Sequence, residues 1–479
     1  MPVIEFAGSS MQDSDNKQSN SGRLLNCYRS PTVGRSQFTL RSCLGTSDFA
    51  QIPGVNPRAG ANVAGVLYVV QAGALWRITN DRTVTNLGAV QDSEITTISG
   101  NNGKVTVVAG AKYYVWDGEN LTQPEAGAFS SYNNVTIFNQ LTVLTERGGR
   151  RVQWSEVANP LTLDGLDFAT CEARDDINPV AIRMGGSLWM FKTQSIEKWY
   201  NTGTTLQILP GAVIDRGLKG FNLICEIPGG CFFLSSDNKA FFVVGDAMQP
   251  VSNVAVSNSI ANENPERVFF YRDELHEFCV ISFTDRPSWI YDLTTQEWHE
   301  RDEQGGPWQV KDVVFVYGGY YALRRDGSIK RMVRTGVDNG KQIRRRATSR
   351  ALQMDGKRFR VPMLEVQASV GKWQINSDGD LADDVLQVAG DDVLGAGIGA
   401  LEVAEDEPRI VPQIMLETSR DFGMTFGQPK QRSLGDVGEY QTKIRWRALG
   451  QFDNSATMRL SWTYPIDLTV EASGFVEIA

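Results

Sequence analysis

Short apolar runs recur along the whole chain, either alternating with polar residues at period two or rich in β-branched and aromatic side chains. Each is closed by a Gly, Asn or Asp turn. Alternation at period two sends successive side chains to opposite faces, so the pattern predicts an all-β protein. Helical periodicity is nearly absent, and no helix longer than about three turns is expected. Between residues 60 and 336 the runs form units that look alike: Val66-Leu-Tyr-Val-Val70, a turn, Ala74-Leu-Trp-Arg-Ile78, then an Asp/Asn/Gly turn. Similar units begin near Val105, Leu141, Ser187, Cys231, Arg267 and Asp312, spaced by 36 to 46 residues. That length brackets one four-stranded blade, and a repeat without helices favours a β-propeller over a solenoid. Six blades are preferred and seven is the alternative, because the first and last units can share one blade.

Several units close on the same turn chemistry. Val115-Trp-Asp-Gly-Glu-Asn120, Ile290-Tyr-Asp-Leu-Thr294 with Glu297-Trp298, and Leu323-Arg-Arg-Asp-Gly-Ser-Ile329 each place Asp-Gly or Asp-x-Thr at a tight hairpin. This is scaffold chemistry. Residues 1–50 read differently, as an N-terminal arm with a polar stretch from Ser9 to Ser21 and a strand near Gln37–Arg41. The propeller is assigned to 51–340 and a C-terminal antiparallel β domain to 341–479. Within that last part, 371–408 is an acidic, Gly-rich insertion with ten Asp/Glu against Lys372 alone.

Composition narrows the chemistry. The 479 residues include only two histidines, His276 and His299, which removes most histidine-based metal sites and leaves few acid/base pairs. The six cysteines contain no C-x-x-C pair, so neither a zinc ribbon nor a redox motif is indicated, and free buried thiols of a protein made in a reducing cytoplasm are expected. A formal net charge of −9 argues against a general nucleic-acid coat but not against a passive DNA channel. The N-terminus shows no signal peptide, and no apolar run reaches the roughly 18 residues of a membrane span.

Against that acidic background, 324–360 carries thirteen Lys/Arg and three Asp. Lys341, Arg344, Arg345, Arg346 and Arg350 form its sharpest cluster and are the candidate protein–protein interface. Pairing with the acidic insertion, nucleic-acid contact and a merely solvated face are its other readings. Ser419-Arg-Asp421-Phe-Gly423-Met-Thr425-Phe426 fits the Asp-box, a hairpin whose Ser and Asp satisfy turn amides over an aromatic residue. Sialidases carry it as a turn and not as their catalytic site. Gly395–Ala400 matches a dinucleotide fingerprint only formally, for no amphipathic helix follows. Ser377–Asp384 lacks the spacing of a calcium loop. No catalytic residue, cofactor or metal is assigned.

Four collinear segments carry a resemblance: Thr193–Gly203; Gly217-Leu-Lys-Gly220 leading to Cys225; Ile343–Val370; and Gln413–Trp462 with Trp446-Arg-Ala-Leu-Gly450. Over most of the chain from about residue 20 the sequence resembles the packaged-DNA stabilisation proteins of short-tailed phages, the tail nozzle or tail accessory proteins. The acidic segment 371–408 is longer than that pattern. The resemblance implies a virion subunit assembled in the host cytoplasm as a homohexameric ring beneath the portal and head-to-tail adaptor. Such a ring extends the DNA channel, contacts the tail needle or plug and tail fibres or tailspikes, and retains the genome until ejection, the DNA passing without specific binding. The alternatives are a carbohydrate-binding or glycoside-hydrolase-like propeller, such as a receptor-binding phage protein, and a cytoplasmic interaction propeller.

Overall fold

The unbroken apolar runs of the repeat arise because a blade is covered on both faces. In the strand Gly230–Leu234 every residue is buried. Its side chains divide between two cores: Cys231 and Phe233 pack with Trp189 and Phe191, while Phe232 and Leu234 pack with Tyr291 and Trp298. A strand with one wet face would alternate; one held between two sheets reads as a continuous apolar run.

The computed structural model describes residues 3–6, 22–33, 36–203, 205–354, 357–373, 412–435 and 442–478. The acidic insertion beyond residue 373, with Ser377–Asp384 and Gly395–Ala400, lies outside the described residues. Six four-stranded antiparallel sheets stand free as blades: residues 59–89, 96–122, 132–170, 180–214, 224–250, and 310–333 completed by Gly45–Gln51. A further four-stranded meander at 265–303 is continuous at its outer edge with a sheet of the C-terminal domain. Numbered along the chain, this is blade 6 and the sheet at 310–333 is blade 7. The innermost strands of all seven units neighbour one another in a closed circle. The six blades preferred from sequence are thus the free-standing sheets, and the seventh unit, the alternative, is the one shared with the next domain. A nine-residue helix, Val254–Asn262, connects blades 5 and 6, with Asn253 accepting from Val256 N at 2.9 Å as its N-cap.

An N-terminal strand closes the ring. Gly45–Gln51 lies antiparallel to Ser328–Val333 as the outer strand of blade 7. The neighbouring turn needs glycine: Gly327 has φ +84°, and a Cβ there would lie 2.3 Å from the Gly54 carbonyl oxygen.

The C-terminal domain is a sandwich. One sheet runs Val3–Glu5, Ser473–Glu477, Phe359–Trp373, Ile466–Glu471, Phe38–Ser42, Cys27–Pro31, with Thr442–Phe452 also paired to Phe359–Trp373. Facing it, the sheet of blade 6 continues through Arg23–Leu25, Arg345–Thr348, Thr457–Trp462, Gln413–Ser419 and Lys430–Ser433. Phe6, Leu40, Leu364, Trp446, Trp462 and Val470 fill the space between. Here alternation is plain, since Ile444 and Trp446 point inward while Lys443, Arg445 and Arg447 are exposed.

Arg23–Leu25 welds the two domains. It pairs in parallel with blade 6 at Leu25 and Glu300, and antiparallel with Arg345–Thr348. Asn26 follows at φ +58°, a region asparagine tolerates. Its amide donates to Asp302 Oδ1 at 2.5 Å and to the Arg344 carbonyl at 2.8 Å, while its oxygen accepts from Asp302 N at 2.9 Å. Beside it Arg345 is fully buried, donating to Ser42 Oγ at 2.9 Å and to the carbonyls of Thr463 and Tyr464 at 3.0 and 2.9 Å. Burial brings its pKa down to about 10. Nearby, Arg301 pairs with Asp338 at 2.6 Å, and Asp338 also accepts from Thr46 and Trp308. Burial alone would raise the Asp338 carboxyl, but the Arg301 charge outweighs it and holds the pKa low.

Replacing Arg345 by Met removes the buried guanidinium from three half-buried acceptors. We expect a loss of about 2–4 kcal/mol in urea unfolding, whereas Arg344→Ser, with an exposed side chain, should change stability by no more than about 0.5 kcal/mol.

Candidate functional site

The strand Arg345–Thr348 and the residues flanking it distribute the basic cluster by alternation. Ile343, Arg345 and Ala347 face the interior; Lys341, Arg344 and Arg350 are exposed, and Arg346 is half-buried. The five residues therefore do not form one patch. Arg345 belongs to the interior of the chain itself and is not available as a surface contact, a placement that clustering along the sequence could not reveal.

Arg346 opens onto a cavity of about 610 Å³ between blade 6 and the sandwich. Its walls include Asn258 and Ser259 of the helix, Arg286, Trp289 and Glu300 of blade 6, and Arg459, Phe422, Met424 and Phe426 of the sandwich. Arg286 bridges Glu263 and Glu300 at 2.6 and 2.7 Å, and Arg459 holds Glu417 at 2.8 Å. Burial, together with Arg344 and Arg459, lowers the Arg346 pKa to about 10.

One wall is the Asp-box hairpin. Ser419 Oγ donates to Asp421 Oδ1 at 2.6 Å and accepts from Gly423 N at 2.8 Å. Thr425 donates to Asp421 through its amide at 2.9 Å and its hydroxyl at 2.5 Å. Slight burial pushes the Asp421 carboxyl up, but the bonds from Ser419 and Thr425 prevail and hold its pKa at about 2. Phe426 lies beneath the Arg459 guanidinium at 3.7 Å. All five residues of the motif thus have turn or packing roles.

Sequence spacing missed a hydrogen-bonded chain at the weld. Ser30 Oγ lies 3.0 Å from His276 Nε2, and His276 Nδ1 lies 2.7 Å from Asp292 Oδ2. A serine 246 positions away is invisible to any local motif. The array has the order of a hydrolase triad. Access does not fit: His276 and Asp292 are 2% and 1% exposed. Asp292 is further engaged by Thr294 N and Thr295 Oγ1, both at 2.9 Å, as the Asp-x-Thr turn predicts. The second histidine, His299, is fully buried, and burial depresses its pKa to about 3, so it stays neutral. All six cysteines are free. Among the described residues no group of three or more His, Cys, Asp or Glu is placed to hold a metal ion.

The propeller axis is bridged at one end. Glu94, ahead of blade 2, accepts at its carbonyl from Asn222 Nδ2, ahead of blade 5, at 2.9 Å, and its carboxylate accepts from Lys311 of blade 7 at 2.9 Å. Arg267 pairs with Asp312 at 2.9 Å in the same network. A nucleic-acid duplex cannot pass a ring spanned in this way.

Among solved structures the chain is similar to the computationally designed Ika8 protein (11% identity, 60% of this chain and 99% of that one, TM-score 0.39). It is also similar to the Pan2 WD40 domain of Neurospora crassa (9%, 60% and 95%, TM-score 0.42), and to PorZ of Porphyromonas gingivalis (10%, 67% and 44%, TM-score 0.39). No curated protein matches the sequence. Two family models do: bacteriophage P22 Gp10, beta-propeller, over residues 24–324, and bacteriophage P22 Gp10, beta-sandwich, over residues 344–474. The two models meet the chain in the order of its two domains and together span nearly all of it, so the chain belongs to the bacteriophage P22 Gp10 family, the DNA-stabilisation and tail nozzle proteins of short-tailed phages, and is a structural protein of the phage tail.

Proposed function

We propose that this protein forms the nozzle ring of a short-tailed phage, placed below the head-to-tail adaptor. There it extends the DNA channel, retains the packaged genome and helps to mount the needle or plug. The observation that carries the reading is membership of the Gp10 family through both domains, propeller and sandwich in one order. The bridged propeller axis supports it, because the channel then has to be formed between subunits. So does the acidic balance, since a lumen that bound phosphate tightly would hold the genome during ejection. Retention comes from narrowing and from the plug. The exposed Lys341, Arg344 and Arg350 are a contact for a virion partner rather than for DNA, since no stacking aromatic lies within that stretch of sequence.

Particles assembled without this protein should package DNA and then lose it, measured as the ratio of filled to empty heads by negative-stain microscopy. Heads that stay filled would contradict the reading.

The Ser30–His276–Asp292 chain is the one observation that favours a hydrolase. On the structural reading, Ser30→Ala removes a single hydrogen bond and costs about 1 kcal/mol of stability, and a fluorophosphonate probe leaves Ser30 unmodified. Labelling at Ser30 that disappears in Ser30→Ala would make the hydrolase the better account.

A further inference from the structure

The outer rim of blades 3 and 4 is unlike the rest of the propeller surface. Its outer strands, Asn159–Thr170 and Leu206–Ile214, are the longest outer strands of any blade and lie side by side. Leu166, Phe168, Leu209 and Val213 are each more than a third exposed along them. Single apolar residues on a surface need no explanation, whereas several on two adjoining strands mark contact. The same rim carries Glu156, Asp164 and Asp167. Burial, with Asp164 and Glu156 close by, lifts the Asp167 carboxyl above the usual range, so like charges crowd there.

The sandwich holds the complement. Lys430, Arg432, Lys443 and Arg447 are exposed on the strands Lys430–Ser433 and Thr442–Phe452. Arg432 and Lys430 donate to the carbonyls of Arg445 and Ala448 at 3.2 and 3.1 Å, and neither pairs with a carboxylate among the described residues. Arg445, in the same strip, does pair, with Glu365 at 2.6 Å.

Topology sets the two faces at opposite ends of the molecule. The sandwich is continuous with blade 6, and its strand Phe38–Ser42 leads directly into the strand that closes blade 7. Counted round a circle of seven, blade 3 lies across from the boundary between blades 6 and 7.

We propose that the acidic, apolar rim of blades 3 and 4 receives the basic strip of the sandwich from a second copy of this chain. Unlike, complementary faces at opposite ends make a head-to-tail contact, which closes into a ring when the rotation allows. The apolar side chains supply contact area, and the charges fix register and suppress wrong pairings. The inference rests on the ring reading above and adds which faces meet.

The test uses two full-length variants whose altered residues lie at or near the surface. One reverses the rim (Glu156→Lys, Asp164→Lys, Asp167→Lys) and the other the strip (Arg432→Glu, Lys443→Glu, Arg447→Glu), with circular dichroism checking that each stays folded. In sedimentation velocity the wild type should run as a multi-subunit ring and each variant alone as a monomer. An equimolar mixture should regain the wild-type mass, because reversed rim then meets reversed strip around an alternating ring. Variants that assemble alone as well as wild type, or a mixture that stays monomeric while wild type assembles, would overturn the pairing and leave the ring reading standing. A wild-type chain that is monomeric at every concentration would overturn both.

Discussion

A short strand with two incompatible neighbours holds the molecule together. Among the described residues Arg23–Leu25 is the only backbone between the outer edge of blade 6 and the sandwich strand Arg345–Thr348 within their shared sheet, so two domains end where one sheet does not. Placing backbone there buries polar groups away from water, and each needs a partner. Asn26 meets this demand with all its amide atoms, and Arg345 meets it for two carbonyls at the foot of the sandwich. The chain then runs through the sandwich strands Cys27–Pro31 and Phe38–Ser42 into the strand that closes blade 7. Weld and ring closure are thus made by one stretch of chain, residues 23–51, with two sandwich strands between them.

The same constraint explains where the scarce chemistry sits. Both histidines lie at this junction, His276 linking Ser30 to Asp292 and His299 packed against Tyr28 and Phe278. Tyr28 donates to Asp273 at 2.9 Å, and Asp273 also holds Arg334 at 2.5 Å. These groups are buried by the arrival of the N-terminal strands, so their hydrogen bonds stabilise the junction instead of serving a solvent-accessible site. The open cavity beside the weld is lined by arginines already engaged by Glu263, Glu300 and Glu417, with Arg346 facing it.

The propeller was legible because its blades repeat a local event. The units seen near Val66, Val105, Leu141, Ser187 and Cys231 all fall on the second strand of a blade, the one packed on both faces and therefore mostly buried and largely apolar. The sandwich was legible through strict alternation, as in Thr442–Phe452. The weave of residues 22–51 was not, since Arg23 meets Glu300 across 277 positions and no period records such a pairing. For the same reason Arg345 read as one cation among five, although strand alternation alone turns it inward. The Asp-box was legible because its bonds all lie within a few residues, whereas Ser30 and His276 come together only through the fold.

If the weld makes propeller and sandwich one cooperative unit, native-state hydrogen exchange tests it most directly. The amides of Arg23–Leu25, of Arg345–Thr348 and of the outer strand of blade 6, Glu297–Glu303, should exchange only through a common global opening, with the same free energy and the same denaturant dependence. Exchange of Arg23–Leu25 through a low-energy local opening, while blade 6 and the sandwich each stay protected, would show two domains merely in contact and would contradict the account.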